Sequence, residues 1–84
     1  MDKYVFFGRK EDADPIQQYI QELLQWTPEQ LIQSYNATVE TGFVGSRQQA
    51  RRVIALHNAM KQVMGYSPIT IVDNAVIVLG GKIE

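Results

Sequence analysis

The stretch GSRQQARR, residues 45–52, holds the residue types best suited to binding an anion. Ser46 precedes a run with helical periodicity, so its hydroxyl and the free N–H groups of the first helical turn would lie together. Arg47 and Arg51 are four residues apart and therefore share one face of that helix. Two guanidinium groups beside a helix N-terminus can hold a phosphate or a carboxylate through charge-assisted hydrogen bonds. The sequence therefore predicts an anion-attracting point at the start of this helix.

The same helix carries further side chains of the types that contact nucleic acid. Arginine pairs with guanine and phosphate, and Asn and Gln pair with adenine. The candidate anion-binding or nucleic-acid-binding residues are Ser46, Arg47, Gln48, Arg51, Asn58 and Gln62. Three interpretations are open. The arginines face water or pair with acidic helices of this chain or a neighbouring one, they bind nucleic-acid phosphates, or they bind a small anionic ligand.

Patterns typical of enzymes and metal sites are missing from the sequence. The chain has one histidine, His57, and no cysteine. No carboxylate lies three or four residues from His57, so we expect a structural histidine in the core or at its boundary. The acidic run of Glu11, Asp12 and Asp14 lacks the glycine and the distal glutamate of a calcium loop, and it predicts a solvated loop with a helix cap. We therefore expect no enzyme, no catalytic residue, no metal site and no cofactor.

Length and composition describe a small globular protein. The 84 residues are 45% hydrophobic, which suits a single domain over residues 1–84. The lack of cysteine suits a reducing compartment, and the longest apolar run, AVIVL, is far shorter than the roughly 20 residues that span a membrane. No signal-peptide pattern is present. We expect a soluble, cytoplasmic protein that does not act at a membrane.

Charge is segregated along the chain, although the formal net charge is only −1. Residues 11–46 contain acidic side chains and no Lys or Arg, whereas residues 47–72 contain basic side chains and no Asp or Glu. Such asymmetry indicates how surfaces associate, and it does not bear on the fold.

Capping signals predict three helices. Asp14, Thr27 and Ser46 are the expected N-caps, and the first two are followed by proline. Gly42 and Gly65 are the expected ends of the second and third helices, because glycine adopts the left-handed conformation without strain. With one predicted strand before them and two after them, these helices predict an α+β fold in the order β-α-α-α-β-β, with three helices packed on a small antiparallel sheet.

Strand signals lie at both ends of this helical region. Residues 3–7, KYVFF, predict one strand, and ITIV and AVIVL predict a hairpin with a two-residue turn at Asp73 and Asn74. Both hairpin strands are apolar on both faces, which is typical of strands covered on both faces. The helices can cover one face. The other is left for the N-terminal segment, a second copy of the chain or another protein, unless a helix inserts between strand layers.

Three helices followed by a hairpin resemble the outline of a winged helix, with helix 46–64 as the recognition helix. Three features oppose this interpretation: the first strand precedes helix 1, the hairpin tip is acidic, and the isoelectric point is about 5.7. We therefore expect a small non-enzymatic interaction or accessory protein. It would act as a homodimer or bind a protein partner through the C-terminal hairpin. A winged-helix-like DNA-binding module is the alternative.

Overall fold

The computed structural model describes residues 3–5, 8–42, 46–73 and 76–83. Its elements in chain order are β1 (Lys3–Val5), a 3-10 turn (Lys10–Asp12), α1 (Ala13–Leu23), α2 (Pro28–Thr41), α3 (Arg47–Met64), β2 (Ile69–Val72) and β3 (Val76–Leu79). The predicted α+β class, with three helices and a small antiparallel sheet, is confirmed. The observed order differs from the predicted one by the 3-10 turn, which occupies a segment expected to be a loop.

The capping signals of α2 and α3 act as the sequence predicts. Thr27 Oγ1 accepts a hydrogen bond from the Gln30 N–H at 3.2 Å, and Gln30 Oε1 accepts one from the Thr27 N–H at 2.9 Å. Ser46 Oγ accepts from the Gln49 N–H at 3.4 Å at the start of α3. Gly65 ends α3 with a left-handed φ of 83°. These local contacts fix the start of both helices and the end of α3.

The first helix starts earlier than predicted. The 3-10 turn runs directly into α1, so Asp14 lies within the first turn of the helix and is not its N-cap. The Arg9 N–H donates to Asp12 Oδ2 at 2.8 Å and closes this turn. Asp12 is buried, with 2% exposure, whereas Glu11 and Asp14 are exposed. The prediction of a solvated acidic loop is therefore wrong for Asp12.

The sheet is antiparallel and has the order β1-β3-β2, so β3 is its central strand. The N-terminal strand lies beside β3 in the same sheet and not across its outer face. Phe6 and Phe7, the end of the predicted first strand, lie outside the described residues.

The hairpin loop is longer than predicted. Val72 pairs with Val76, so three residues connect β2 to β3, and the first of them, Asp73, has a φ of 51°. The second residue of the predicted two-residue turn, Asn74, lies outside the described residues.

The middle of α3 lies in the core. Six of its side chains are buried, and these are Ala50, Val53, Ala55, Leu56, Ala59 and Met60. Stepping 100° per residue, these positions cover more than half of the helix circumference. The same core includes the inner face of the sheet, formed by Ile69, Ile71, Ile77 and Leu79. The helix that the sequence offers as a recognition helix is therefore the central helix of the fold.

The segment after β3 is held against α2 by side chains. Tyr35 is fully buried and its hydroxyl donates to the Gly81 carbonyl at 2.9 Å. Asn36 donates to the Ile83 carbonyl at 2.7 Å and accepts from the Ile83 N–H at 2.8 Å. Asn36 thus pairs with the chain as a neighbouring strand would, so residues 80–83 extend the packed structure beyond the sheet.

Candidate functional site

Asp12, Arg47 and Arg51 form an ion cluster between the 3-10 turn and α3. Arg51 donates from Nε to Asp12 Oδ1 at 2.7 Å, and its Nη2 lies 2.6 Å from the same oxygen. Arg47 pairs through Nη2 with Oδ2, which also accepts the Arg9 N–H. The two arginines therefore pair with a carboxylate of the turn before α1, whereas the sequence interpretation had placed such partners in the acidic helices.

Helical spacing explains why both arginines reach one carboxylate. Arg47 and Arg51 are one turn apart on α3, and the 3-10 turn brings Asp12 to the same face. The arginine side chains remain partly exposed, at 34% and 26%. Because two guanidinium groups surround one carboxylate, the cluster carries a net positive charge.

The pKa of Asp12 reflects two opposing effects. Burial raises it, because a low-dielectric environment disfavours the charged form. The hydrogen bonds from the Arg9 N–H and from Arg51, with the charges of Arg47 and Arg51, outweigh burial and hold the pKa below its ordinary value of 3.8. Asp12 is therefore ionised at neutral pH, and its hydrogen bonds to the described residues are all accepted from donors.

The other predicted site residues are spread along α3. Gln48 and Gln62 are exposed, whereas Ser46 and Asn58 are half-buried. An α-helix rises about 1.5 Å per residue, so the two ends of the predicted set, Ser46 and Gln62, lie about 24 Å apart. One small ligand cannot contact the whole set, and only the two arginines converge on a common partner.

Asp12 is the site residue that the sequence reasoning missed. The available signal was the charge segregation, because arginines in a segment without acids have to find carboxylates elsewhere in the chain or in a partner. Which carboxylate they meet depends on how the 3-10 turn packs on α3, and that is a property of the tertiary structure.

A surface cleft of about 420 Å³ lies next to the ion cluster. Its apolar wall is formed by isoleucines of α1, α3 and β2, which are Ile16, Ile54 and Ile71. Its polar side chains come from the region of the 3-10 turn and from α3, and they are Arg9, Asp12, His57 and Asn58. Pockets for small ligands typically measure about 300–1,000 Å³ and combine apolar walls with a few polar groups. The cleft has both properties.

His57 is half-buried at the edge of this cleft. Its Nδ1 lies 2.9 Å from Ser67 Oγ, which also accepts the Ile69 N–H at 3.1 Å. Burial, together with the charge of Lys61, lowers the pKa of His57 below 6.5, so the ring is neutral at neutral pH. Ser67 does not line the cleft. The contact between His57 and the serine hydroxyl thus ties α3 to the start of β2 and is closed to a ligand in the cleft.

The outer face of the sheet is a second candidate surface. We call it the valine face after Val5, Val72, Val76 and Val78, and the register places Lys3 and Thr70 on the same face beside Val78. Val5 is 56% exposed and Val72 is 44% exposed, and none of the four valines belongs to the hydrophobic core cluster or packs against it. The helices pack on the opposite face of the sheet. Within the described part of the chain, Val5 and Val72 are therefore open to water, whereas Val76 and Val78 on the central strand are half-buried.

Across the described ranges, no helix is long and apolar enough to cross a membrane, and no three His, Asp or Glu side chains are grouped to hold a metal ion. The chain matches no protein-family model, no curated protein and no solved structure.

Proposed function

We propose that this protein is a small interaction or accessory protein that associates with a second copy of itself through the valine face. The observation that carries the proposal is a sheet with helices on one face and exposed valines on the other. Burying an apolar side chain that water now contacts is favourable by about 25 cal/mol per Å². A sheet face with exposed apolar side chains therefore favours association.

A second copy is the partner that fits this surface best. Branched valine side chains on a pleated sheet form a regular surface that can stack on an identical one around a two-fold axis. Three strands of three or four residues span about 14 Å in each direction, or roughly 200 Å². A stable interface buries about 800 Å² per partner. We therefore expect a weak dimer in which neighbouring surface contributes part of the contact.

The polar groups of the described residues support a non-enzymatic role. His57 pairs with a hydroxyl and has no carboxylate as hydrogen-bond partner to orient it. Asp12, the one buried carboxylate, is held ionised by three donors and is not available as a general base. These contacts are typical of groups that stabilise a fold.

Light scattering over a concentration series tests the proposal. The mass should rise from 9.6 kDa towards twice that value as the concentration approaches about 1 mM. Val72→Lys places a charge on the valine face and should keep the protein monomeric. Gln33→Lys makes a similar change at an exposed position of α2 and should behave as the parent. A mass of one chain at every concentration, or equal association of the two variants, would contradict the proposal.

The alternative is a winged-helix-like DNA-binding module that uses helix 46–64 as its recognition helix. It has weaker support, because Arg47 and Arg51 already donate to Asp12 and the middle of α3 is buried. Retention on duplex DNA distinguishes the two functions. We expect none at about 150 mM salt, and retention that decreases steeply with added salt would favour the alternative.

A further inference from the structure

We propose that the cleft between the 3-10 turn, α3 and β2 binds a small organic anion, such as a carboxylic acid with a short apolar or aromatic body. This proposal is independent of self-association, because the cleft contains the inner-face residue Ile71 and none of the valine-face residues. Its support comes from the size of the cleft, the chemistry of its wall and the balance of its charges.

The volume of the cleft and its apolar wall determine the apolar part of the ligand. A volume of about 420 Å³ accommodates a single ring with a polar substituent. Ile16, Ile54 and Ile71 come from three different elements, so their positions are fixed by the packing of the fold. A preformed apolar wall of this kind contacts a flat or branched hydrocarbon body without further ordering.

The charged groups around the cleft determine the polar part of the ligand. Asp12 is the only carboxylate among the described residues of the cleft wall, and it accepts hydrogen bonds from Arg9, Arg47 and Arg51. It is therefore a poor partner for a cationic ligand. Arg51 offsets the charge of Asp12, Arg9 adds a positive charge to the cleft wall, and Lys61 lies near His57 on the same helix. Glu11 and Asp14, the described acids beside Asp12 in the chain, are both exposed, and Glu11 lies 3.7 Å from Arg9. The potential in the cleft is thus positive and favours an anion.

Hydrogen-bond donors are available at the rim. Arg9 lines the cleft and its side chain is 66% exposed, so its guanidinium can turn towards a carboxylate. Asn58 Nδ2 donates one hydrogen to the Ile54 carbonyl at 2.9 Å, and an amide nitrogen has a second hydrogen to donate. His57 does not add to these donors, because its Nδ1 contacts Ser67 Oγ at 2.9 Å and its ring also makes a hydrogen bond to the Ile69 backbone.

Three probes of similar shape test the charge preference on the full chain: benzoate, benzamide and benzylamine. Amide shifts in nitrogen–proton NMR spectra, followed during titration at neutral pH, show where and how tightly each probe binds. Benzoate should give saturable shifts confined to the cleft residues Ala13, Ile54, Asn58 and Ile71, with a dissociation constant of about 1 mM or lower. Benzamide and benzylamine should bind at least about tenfold more weakly.

Matched variants locate the site. Asn58→Asp adds a negative charge in the cleft with almost no change in shape, and it should weaken benzoate binding about tenfold. Gln62→Glu makes the same amide-to-acid change one turn along α3 at an exposed position outside the cleft, and it should leave binding unchanged. Ala13→Glu is a second variant at the cleft rim. Its carboxylate in the first turn of α1 favours the helix dipole, so the fold is retained while the anion is repelled.

Three results would overturn the proposal. Equal binding of benzoate and benzamide would show that charge plays no part. Benzoate shifts spread over the surface, or none up to about 50 mM, would show that the cleft binds no such ligand. Benzoate binding that is unchanged in both Asn58→Asp and Ala13→Glu would place the anion elsewhere.

Discussion

Arg51 and Asp12 are joined through a single carboxylate oxygen, with Nε at 2.7 Å and Nη2 at 2.6 Å from Oδ1. Arg47 donates to the other carboxylate oxygen, Oδ2. The carboxylate therefore connects the turn before α1 to two successive turns of α3. Because Asp12 is only 2% exposed, these donors are its partners in place of water, and the contact determines how α1 begins.

Asp12→Asn should lower stability at neutral pH and reduce its acid dependence. The lowered pKa means that, near pH 3.8 and below, the folded chain holds fewer protons on this group than the unfolded chain does. The stability contributed by Asp12 is thus complete above that pH and is lost as the pH falls further. Urea unfolding between about pH 3 and pH 7 measures the effect. Asp14→Asn, at an exposed position, is the control, and parallel pH curves for all three proteins would contradict the assignment.

Arg47→Glu should destabilise the protein. The new carboxylate would face Asp12 in place of a guanidinium, so attraction becomes repulsion. Gln48→Glu is the matched control, because it places an acid in the same helical turn at an exposed position. It should raise stability by about 0.3–1 kcal/mol through the helix dipole. Thermal melts of both variants test this prediction. Equal shifts in Tm would mean that Arg47 does not stabilise the fold through Asp12.

The sequence predicted what is decided locally. Thr27 and Ser46 cap helices because their hydroxyls bond to backbone three residues away, and Gly65 ends a helix because of its own φ. The same local signals predicted the first cap at Asp14. The sequence does not show that Asp12 is buried against arginines that are distant in the chain. Contacts of that kind depend on how complete helices pack.

The valine face and the cleft also differ in how much of them the sequence shows. The apolar runs of β2 and β3 indicated that both faces of the hairpin are apolar, and the structure shows which residues face inward. The cleft had no sequence signal, because its isoleucines come from three elements that meet only in the folded protein. The pairing of Asn36 with Ile83 had none either, since a single amide on α2 does not reveal its distant partner.

His57 should titrate below its ordinary pKa of 6.5, because burial and the charge of Lys61 disfavour the imidazolium ion. Proton NMR of the only histidine gives the midpoint directly. Below pH 6.5 the unfolded chain takes up a proton before the folded chain does, so stability should decrease as the pH falls through this range. Lys61→Gln should raise the midpoint. A midpoint at or above 6.5 in the parent would mean that the ring is solvated or has an anionic partner.

Tyr35→Phe should lower the free energy of unfolding by about 1 kcal/mol, because it leaves the Gly81 carbonyl without its donor at 2.9 Å. Tyr66→Phe removes a hydroxyl from a side chain that is 53% exposed and should change stability little. Chemical denaturation of both variants provides the comparison. A loss below about 0.3 kcal/mol for Tyr35→Phe would show that water replaces the hydroxyl at that carbonyl.

The position of β1 at the edge of the sheet affects how the protein folds. β2 and β3 are neighbours in sequence and can pair early, whereas β1 joins β3 only by closing a loop that contains all three helices. We expect β1 to dock last. Until it does, the free edge of β3 is open to the first strand of any other copy, and exchange of that strand between two chains would give a domain-swapped dimer at high refolding concentration.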